Sequence, residues 1–211
     1  MEQSSDNKRP SLDMSYLRHG RFVNIKASIK DLRELKDIVE RKFSMKIEEI
    51  YQNLEATRDE LIRALDGLSK EQLNRQIASS SWSICQVCQH LAKTEELYVV
   101  AIMRGLKSKE DSLLEKKSLD FLLDRSKRLT APDIVKPTDE ILEYEEIIER
   151  LSHSREKLYK LLNSVEDPSV LSKRQFTHPV FKEMLLIEWV KSVYLHEQRH
   201  TKQIHEIKAG F

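Results

Sequence analysis

The chain of 211 residues carries 36 Lys and Arg against 35 Asp and Glu, a net charge of +1 that offers no global basic field to nucleic acid and no acidic excess favouring disorder. Four Gly and five Pro are few turn formers, which argues against an all-β sandwich or barrel and makes a helical protein the first expectation. The length favours one domain, or one domain with an extension, and suffices for a sizeable core.

The first 44 residues hold ten basic and seven acidic side chains, so they carry a net +3 while residues 45–211 carry −2. The start, MEQSSDNKRP, has no apolar stretch of the kind found in secretion signals, and no apolar run reaches membrane-spanning length. A polar, poorly ordered N-terminal extension over 1–44 is expected, followed by one domain over 45–211. Within the extension, Ile29, Leu32, Leu35, Ile38 and Val39 have helical spacing, which predicts a short extra helix over 27–43. An alternative start at Met45 is also readable, because Glu40-Arg41-Lys42 can be encoded by a purine-rich ribosome-binding stretch. The cysteines, Cys85 and Cys88, are too few for a disulfide framework and fit a reducing, cytoplasmic setting.

Four long helices follow. The first runs over 47–65, with Ile47, Ile50, Leu54, Thr57, Leu61 and Leu65 on one stripe and Gly67 as its end. Ser69 and Gln72 have capping-box spacing for a short helix, and Ser83 and Gln86 repeat it for the second long helix, which Gly105 is expected to stop. Residues 107–137 form a charged, mobile or lid-like connection with an amphipathic patch, SLDFLLDRSKRL. A third helix is predicted over 139–165 behind a Thr138 cap, and a fourth over 185–208 after the His178-Pro179 turn. The fold class is therefore all-α, a four-helix bundle with one long crossover connection.

Seven histidines occur, and helical geometry separates them. At ~100° per residue, His196 and His200 lie ~40° apart, on the stripe that also holds Leu185, Trp189, Val193 and Ile207. His90 shares its face with Val87, Thr94, Leu97 and Ala101. Three imidazoles thus point inward from two core helices. Buried imidazoles need either a hydrogen-bonded network or a metal, and three neutral nitrogens suit Zn, Ni, Cu or Fe with one coordination position left open. His196-Glu197-Gln198-Arg199-His200 also fits the H-E-x-x-H string of zinc proteases, in which Glu is the general base. The extended form of that signature fails, since Gln203 stands where Gly is required and Glu206 where a third His belongs.

Trp82-Ser83 followed by His90-Leu91, the loop from Ala131-Pro132 to Pro137-Thr138, His178-Pro179 ahead of Glu188-Trp189, and the H-E-Q-R-H string with Gln203-Ile204 together resemble the DinB/YfiT-like superfamily over about residues 45–208. The resemblance implies a four-helix bundle in which His90, His196 and His200 hold a divalent metal, most often Zn or Ni. It also implies a homodimer and one of two chemistries on a small-molecule substrate. One is S-transfer from a low-molecular-weight thiol such as bacillithiol or mycothiol, and the other is metal-dependent hydrolysis. A non-catalytic metal-binding or interaction module is the third reading. No nucleic-acid or membrane partner is expected. Lys182 departs from the pattern, because relatives often carry Gly there.

Other candidates are weaker. Glu197 borders the histidine face, where it can accept a proton or orient a ligand, or remain a solvated helix charge. Cys85 and Cys88 form a C-x-x-C without the βαβ context of redox proteins and point away from His90, which favours packing. Arg155 and Gln86 are candidate pocket residues, with surface or capping duty as the plainer reading. Arg125, Lys127 and Arg128 are offset by Asp120 and Asp124 and read as a solvated face.

Overall fold

The structure is a computed structural model that describes residues 29–79, 81–126, 130–179 and 181–211. The polar start of the expected extension lies outside the described residues, as do Lys127 and Arg128. Two compact units divide between Glu40 and Arg41. The described part of the first is helical, over 29–40. The second holds the bundle and everything that follows.

Five α-helices are described: α1 (Ile29–Leu65), α2 (Lys70–Asn74), α3 (Ile84–Leu106), α4 (Tyr144–Asn163) and α5 (Leu186–Lys208). The short helix expected over 27–43 and the helix expected over 47–65 are one continuous element, α1. No Gly or Pro occurs between Ile29 and Leu65, so nothing in the backbone chemistry interrupts it. Both predicted capping boxes form: Ser69 with Gln72 opens α2, and Ser83 with Gln86 opens α3. Gly105 is not the stop of α3, which ends at Leu106. Its role is close approach, because a Cβ at this position would run into the Leu186 side chain at the start of α5.

The third long helix begins later than its sequence suggests. Asn74 accepts from the Leu142 amide at 3.2 Å and donates to the Leu142 carbonyl at 2.9 Å, so this residue is committed outside the helix. The cap falls instead on Glu143, whose N–H bonds Glu146 Oε2 at 2.8 Å. Thr138 is not a cap; its N–H and hydroxyl both donate to Gln89 Oε1.

A small antiparallel hairpin, β1 (Gln175–His178) and β2 (Lys182–Leu185), precedes α5, and the helical periodicity did not reveal it. Its register pairs His178 with Lys182, and Lys182 takes a left-handed φ of 64°. The hairpin is anchored by the Trp189 indole N–H, which donates to Phe176 O at 3.1 Å.

The described residues of the connection over 107–137 are fastened down rather than free. Ser112 N–H bonds Lys173 O at 2.6 Å, Lys117 N–H bonds Glu188 Oε1, and Leu119, Leu122 and Val135 are buried. Burial of these three apolar residues is the physical reason the strap stays on the bundle. Among the described residues, no helix is long and apolar enough to cross a membrane.

The core is layered. One apolar cluster includes Leu54, Tyr98, Ile102, Leu158 and Val193, and a second includes Leu61, Leu91, Leu151 and Ile204. Along α1, α3, α4 and α5 alike, the residues lying between these two sets are polar: Thr57 and Arg58, Thr94 and Glu95, Ser154 and Arg155, His196 and Glu197. The bundle therefore carries one polar layer across all four long helices.

Candidate metal centre

The polar layer has two parts. In the first, Glu95 and Glu197 face Arg58 and Arg155 in a closed ring of four ion pairs. Arg58 reaches Glu95 at 2.8 Å and Glu197 at 2.7 Å, and Arg155 reaches Glu95 at 2.5 Å and Glu197 at 3.0 Å. The ring's remaining bonds are also satisfied: Thr57 donates to Glu197 at 2.6 Å, Ser154 to Glu95 at 2.5 Å, and the guanidinium groups donate to the Leu151 and Leu54 carbonyls. Burial raises the Glu197 pKa, but Arg58 and Arg155 outweigh it and hold the carboxyl below its ordinary value.

The second part is the histidine cluster. The Nε2 atoms of His90 and His200 lie 3.2 Å and 3.1 Å from His196 Nε2, and the ligand atoms of all three fall within 4.8 Å of one another. Their outer nitrogens decide what these atoms can do. His90 Nδ1 faces Val135 O at 2.8 Å, and His200 Nδ1 faces Gln203 Oε1 at 2.7 Å. Both oxygens are acceptors, so each Nδ1 carries the proton and each Nε2 presents a lone pair to the centre. His196 Nε2 can bear at most one proton and cannot satisfy two lone pairs with it. A cation resolves the mismatch, and nitrogens bound to one tetrahedral zinc at about 2.0–2.1 Å stand ~3.3 Å apart, close to the spacing seen. The carbonyl partners are of the type that orients ligating histidines.

Burial favours the neutral imidazoles that metal ligation requires. It lowers the pKa of His90, lowers that of His196 well below its ordinary value with the neighbouring histidines adding to the effect, and pushes His200 down to about 3.

A cavity of about 690 Å³ opens onto the cluster. Trp82, Tyr98, Phe181 and Trp189 give it apolar walls, and Arg125, Arg199 and Glu206 lie at its polar side. Arg125 grips Glu206 through both oxygens at 2.8 and 2.6 Å, and Arg199 donates to the Leu122 and Asp124 carbonyls at 3.0 and 2.6 Å. His178 lines the cavity stacked on Phe181, its ring 4.2 Å from that ring, and Nδ1 accepts from the Phe181 amide at 3.2 Å.

Of the residues the sequence singles out, His90, His196 and His200 are brought together. Glu197 is not part of their pocket. One position along α5 turns it ~100° from His196, and both its oxygens are occupied by the two arginines, so the proton-accepting role has no support in this geometry. Arg155 belongs to the same ring, and Gln86 caps α3 and donates to Asp139 Oδ1 at 3.1 Å. Cys85 and Cys88 are buried, and burial raises both thiol pKa values, which disfavours the reactive thiolate. Arg125 is no solvated charge but an ion-paired cavity residue. Gln203 and His178 stand in the sequence pattern that carries the resemblance, but no role is assigned to them there; the structure places Gln203 against His200 Nδ1 and His178 in the cavity wall.

A four-helix bundle with three converging histidines lining a small-molecule-sized cavity defines a class of protein. Residues 53–204 match the DinB superfamily, and the chain belongs to that family. The protein YuaE of Bacillus subtilis (strain 168), described as uncharacterized, is 30% identical over 144 residues, covering 68% of this chain and 88% of its own. Two solved structures share the fold. YfiT from Bacillus subtilis, described as a probable metal-dependent hydrolase with an unusual four-helix bundle topology, superposes with a TM-score of 0.54 at 17% identity over 77% of this chain and 85% of its own. TT2238, described as a four-helix bundle protein, does so with a TM-score of 0.52 at 21% identity over 75% of this chain and 98% of its own.

Proposed function

We propose that His90, His196 and His200 hold a divalent metal, which neutral imidazoles accept as Zn, Ni, Cu or Fe and which the family resemblance narrows to Zn or Ni, and that the protein is an enzyme transferring a low-molecular-weight thiol to an electrophilic small molecule. The observation that carries the metal is the pair of Nε2 lone pairs, on His90 and His200, turned on one point by the Val135 and Gln203 oxygens. When bound, such a metal supplies a Lewis acid that lowers the pKa of a thiol or a water reaching its open side.

The chain's own residues favour the thiol. Among the described residues lining the cavity, Glu206 is the one carboxylate, and Arg125 holds both its oxygens. Water attack is best served by a free general base, and Glu197, the base of the H-E-x-x-H pattern, is locked in the ion ring. A coordinating thiol loses its proton without one. Trp82, Tyr98, Phe181 and Trp189 offer apolar area to the electrophile.

Hydrolysis is the second reading, favoured by the description of YfiT. Homodimerisation and a cytoplasmic setting complete the proposal. Metal-loaded protein is assayed with monochlorobimane and a panel of thiols, and in parallel with ester and amide substrates. Thiol-dependent turnover lost in His200→Ala supports the transferase, and thiol-independent cleavage supports the hydrolase. Inactivity in both panels with metal bound points to a non-catalytic module.

A further inference from the structure

Four buried hydroxyls on the bundle helices have partners. Thr57 donates to Glu197 at 2.6 Å and Ser154 to Glu95 at 2.5 Å, while Ser192 and Thr201 each donate back to a carbonyl three or four residues earlier, at 2.7 and 3.0 Å. Thr94 has none. Its Oγ1 is the one buried side-chain nitrogen or oxygen among the described residues that has no hydrogen-bond partner, and the residue is only 6% exposed. A buried hydroxyl left without a partner is costly, and the exceptions point to a missing ligand or water.

The position of Thr94 says where the partner enters. It lies one helical turn after His90 on α3, on the same face, and it lines the 690 Å³ cavity together with His90, His196 and His200. On its other side is a void of about 10 Å³, bordered by Arg58, Glu95, Tyr98, His196 and Glu197. That void is at the lower limit for one water, and the carboxylates and guanidinium groups on its border already bond one another. Of the two spaces that Thr94 borders, the larger is the 690 Å³ cavity that also holds the three histidines.

We propose that the Thr94 hydroxyl hydrogen-bonds the sulfur or oxygen group that binds at the open side of the His90–His196–His200 cluster, making Thr94 a ligand-contacting residue that fixes where this group sits. The inference rests on the metal-centre reading above. A hydroxyl suits an anionic sulfur or oxygen, to which it donates, and discriminates against apolar groups that leave it unpaired.

The test uses full-length protein loaded with Co(II), titrated with 2-mercaptoethanol and followed by the metal's absorption spectrum. Wild type, Thr94→Val and Thr94→Ser are compared, and each metal-free protein is melted. Valine keeps the shape and removes the hydroxyl. Thr94→Val is expected to melt at or above wild type, to take up Co(II) equally, and to bind the thiol about 5- to 10-fold more weakly, the loss of one hydrogen bond. Thr94→Ser is expected to stay within about twofold of wild type. Equal thiol affinity in Thr94→Val, with Co(II) bound, overturns the role of Thr94 and leaves the metal centre standing. So does a Thr94→Val protein that melts well below wild type, which makes the hydroxyl part of the fold, or a Co(II) wild type whose spectrum ignores the thiol. Wild type that takes up no Co(II) overturns both.

Discussion

His90 and His196 are 106 residues apart in the chain and 3.2 Å apart at their Nε2 atoms, one on α3 and the other on α5. The approach depends on Val135, whose carbonyl holds His90 Nδ1 at 2.8 Å, so the strap between α3 and α4 sets the tautomer of a residue on α3. Substituting Val135 does not remove that carbonyl, but Val135→Gly removes a buried side chain that keeps the strap seated. Metal affinity in Val135→Gly is expected to fall about 10- to 100-fold, measured by competition with a chelator of known affinity, while the helical circular-dichroism signal is retained.

The ring of Arg58, Glu95, Arg155 and Glu197 predicts what happens when one member is lost. Arg58→Met strips one partner from each of two buried carboxylates, and its cost is expected at about 3–5 kcal/mol in denaturant unfolding. Glu197→Gln is the sharper comparison. In a protease of the H-E-x-x-H type this change abolishes activity and spares the fold. Here it is expected to lower stability markedly while the protein that remains folded still binds metal at His90, His196 and His200.

Lys182 holds a φ of 64°, a left-handed conformation that costs a side chain about 1 kcal/mol or more and glycine nothing. Part of the gain on substitution is offset by the greater freedom of glycine in the unfolded chain. Lys182→Gly is expected to stabilise the protein by roughly 0.5 kcal/mol, read as a higher denaturant midpoint with an unchanged slope.

His178 supplies a pH dependence. Burial pushes its pKa down to about 4 from an ordinary value near 6.5, so the folded protein binds fewer protons at this site than the unfolded chain between those limits. Its contribution is complete above about pH 6.5 and declines as pH falls towards 4, with a slope of at most ~1.4 kcal/mol per pH unit for one proton. His178→Asn retains an acceptor for the Phe181 amide and does not titrate. The variant is expected to show a shallower loss of stability over that window.

How much of this was legible in the chain follows from which signals are local. The stripes of α1, α3, α4 and α5 come from the 3.6-residue period, and the capping boxes at Ser69 and Ser83 from a three-residue spacing, so both survived into the structure. The same period placed His90, His196 and His200 on inward faces. The late start of α4 was hidden because it is set by Asn74, 68 residues before Leu142. The hairpin of β1 and β2 was hidden by its four-residue strands, too short for a pattern, and by a lysine where the turn favours glycine. Glu197 was misread because its arginine partners lie on other helices, and charge on a helix face looks solvated until the facing charges are known.

The proposed centre joins three neutral imidazoles around one divalent metal. The measurement that bears on it most directly is elemental analysis of purified full-length protein beside His196→Ala, with thermal melts of both before and after chelation. Close to one equivalent of divalent metal is expected in wild type, with its loss in His196→Ala and a drop in wild-type melting temperature on chelation that His196→Ala does not share. Metal-free wild type that gains neither metal nor stability on incubation with Zn(II) or Ni(II), and that melts like His196→Ala, would contradict it.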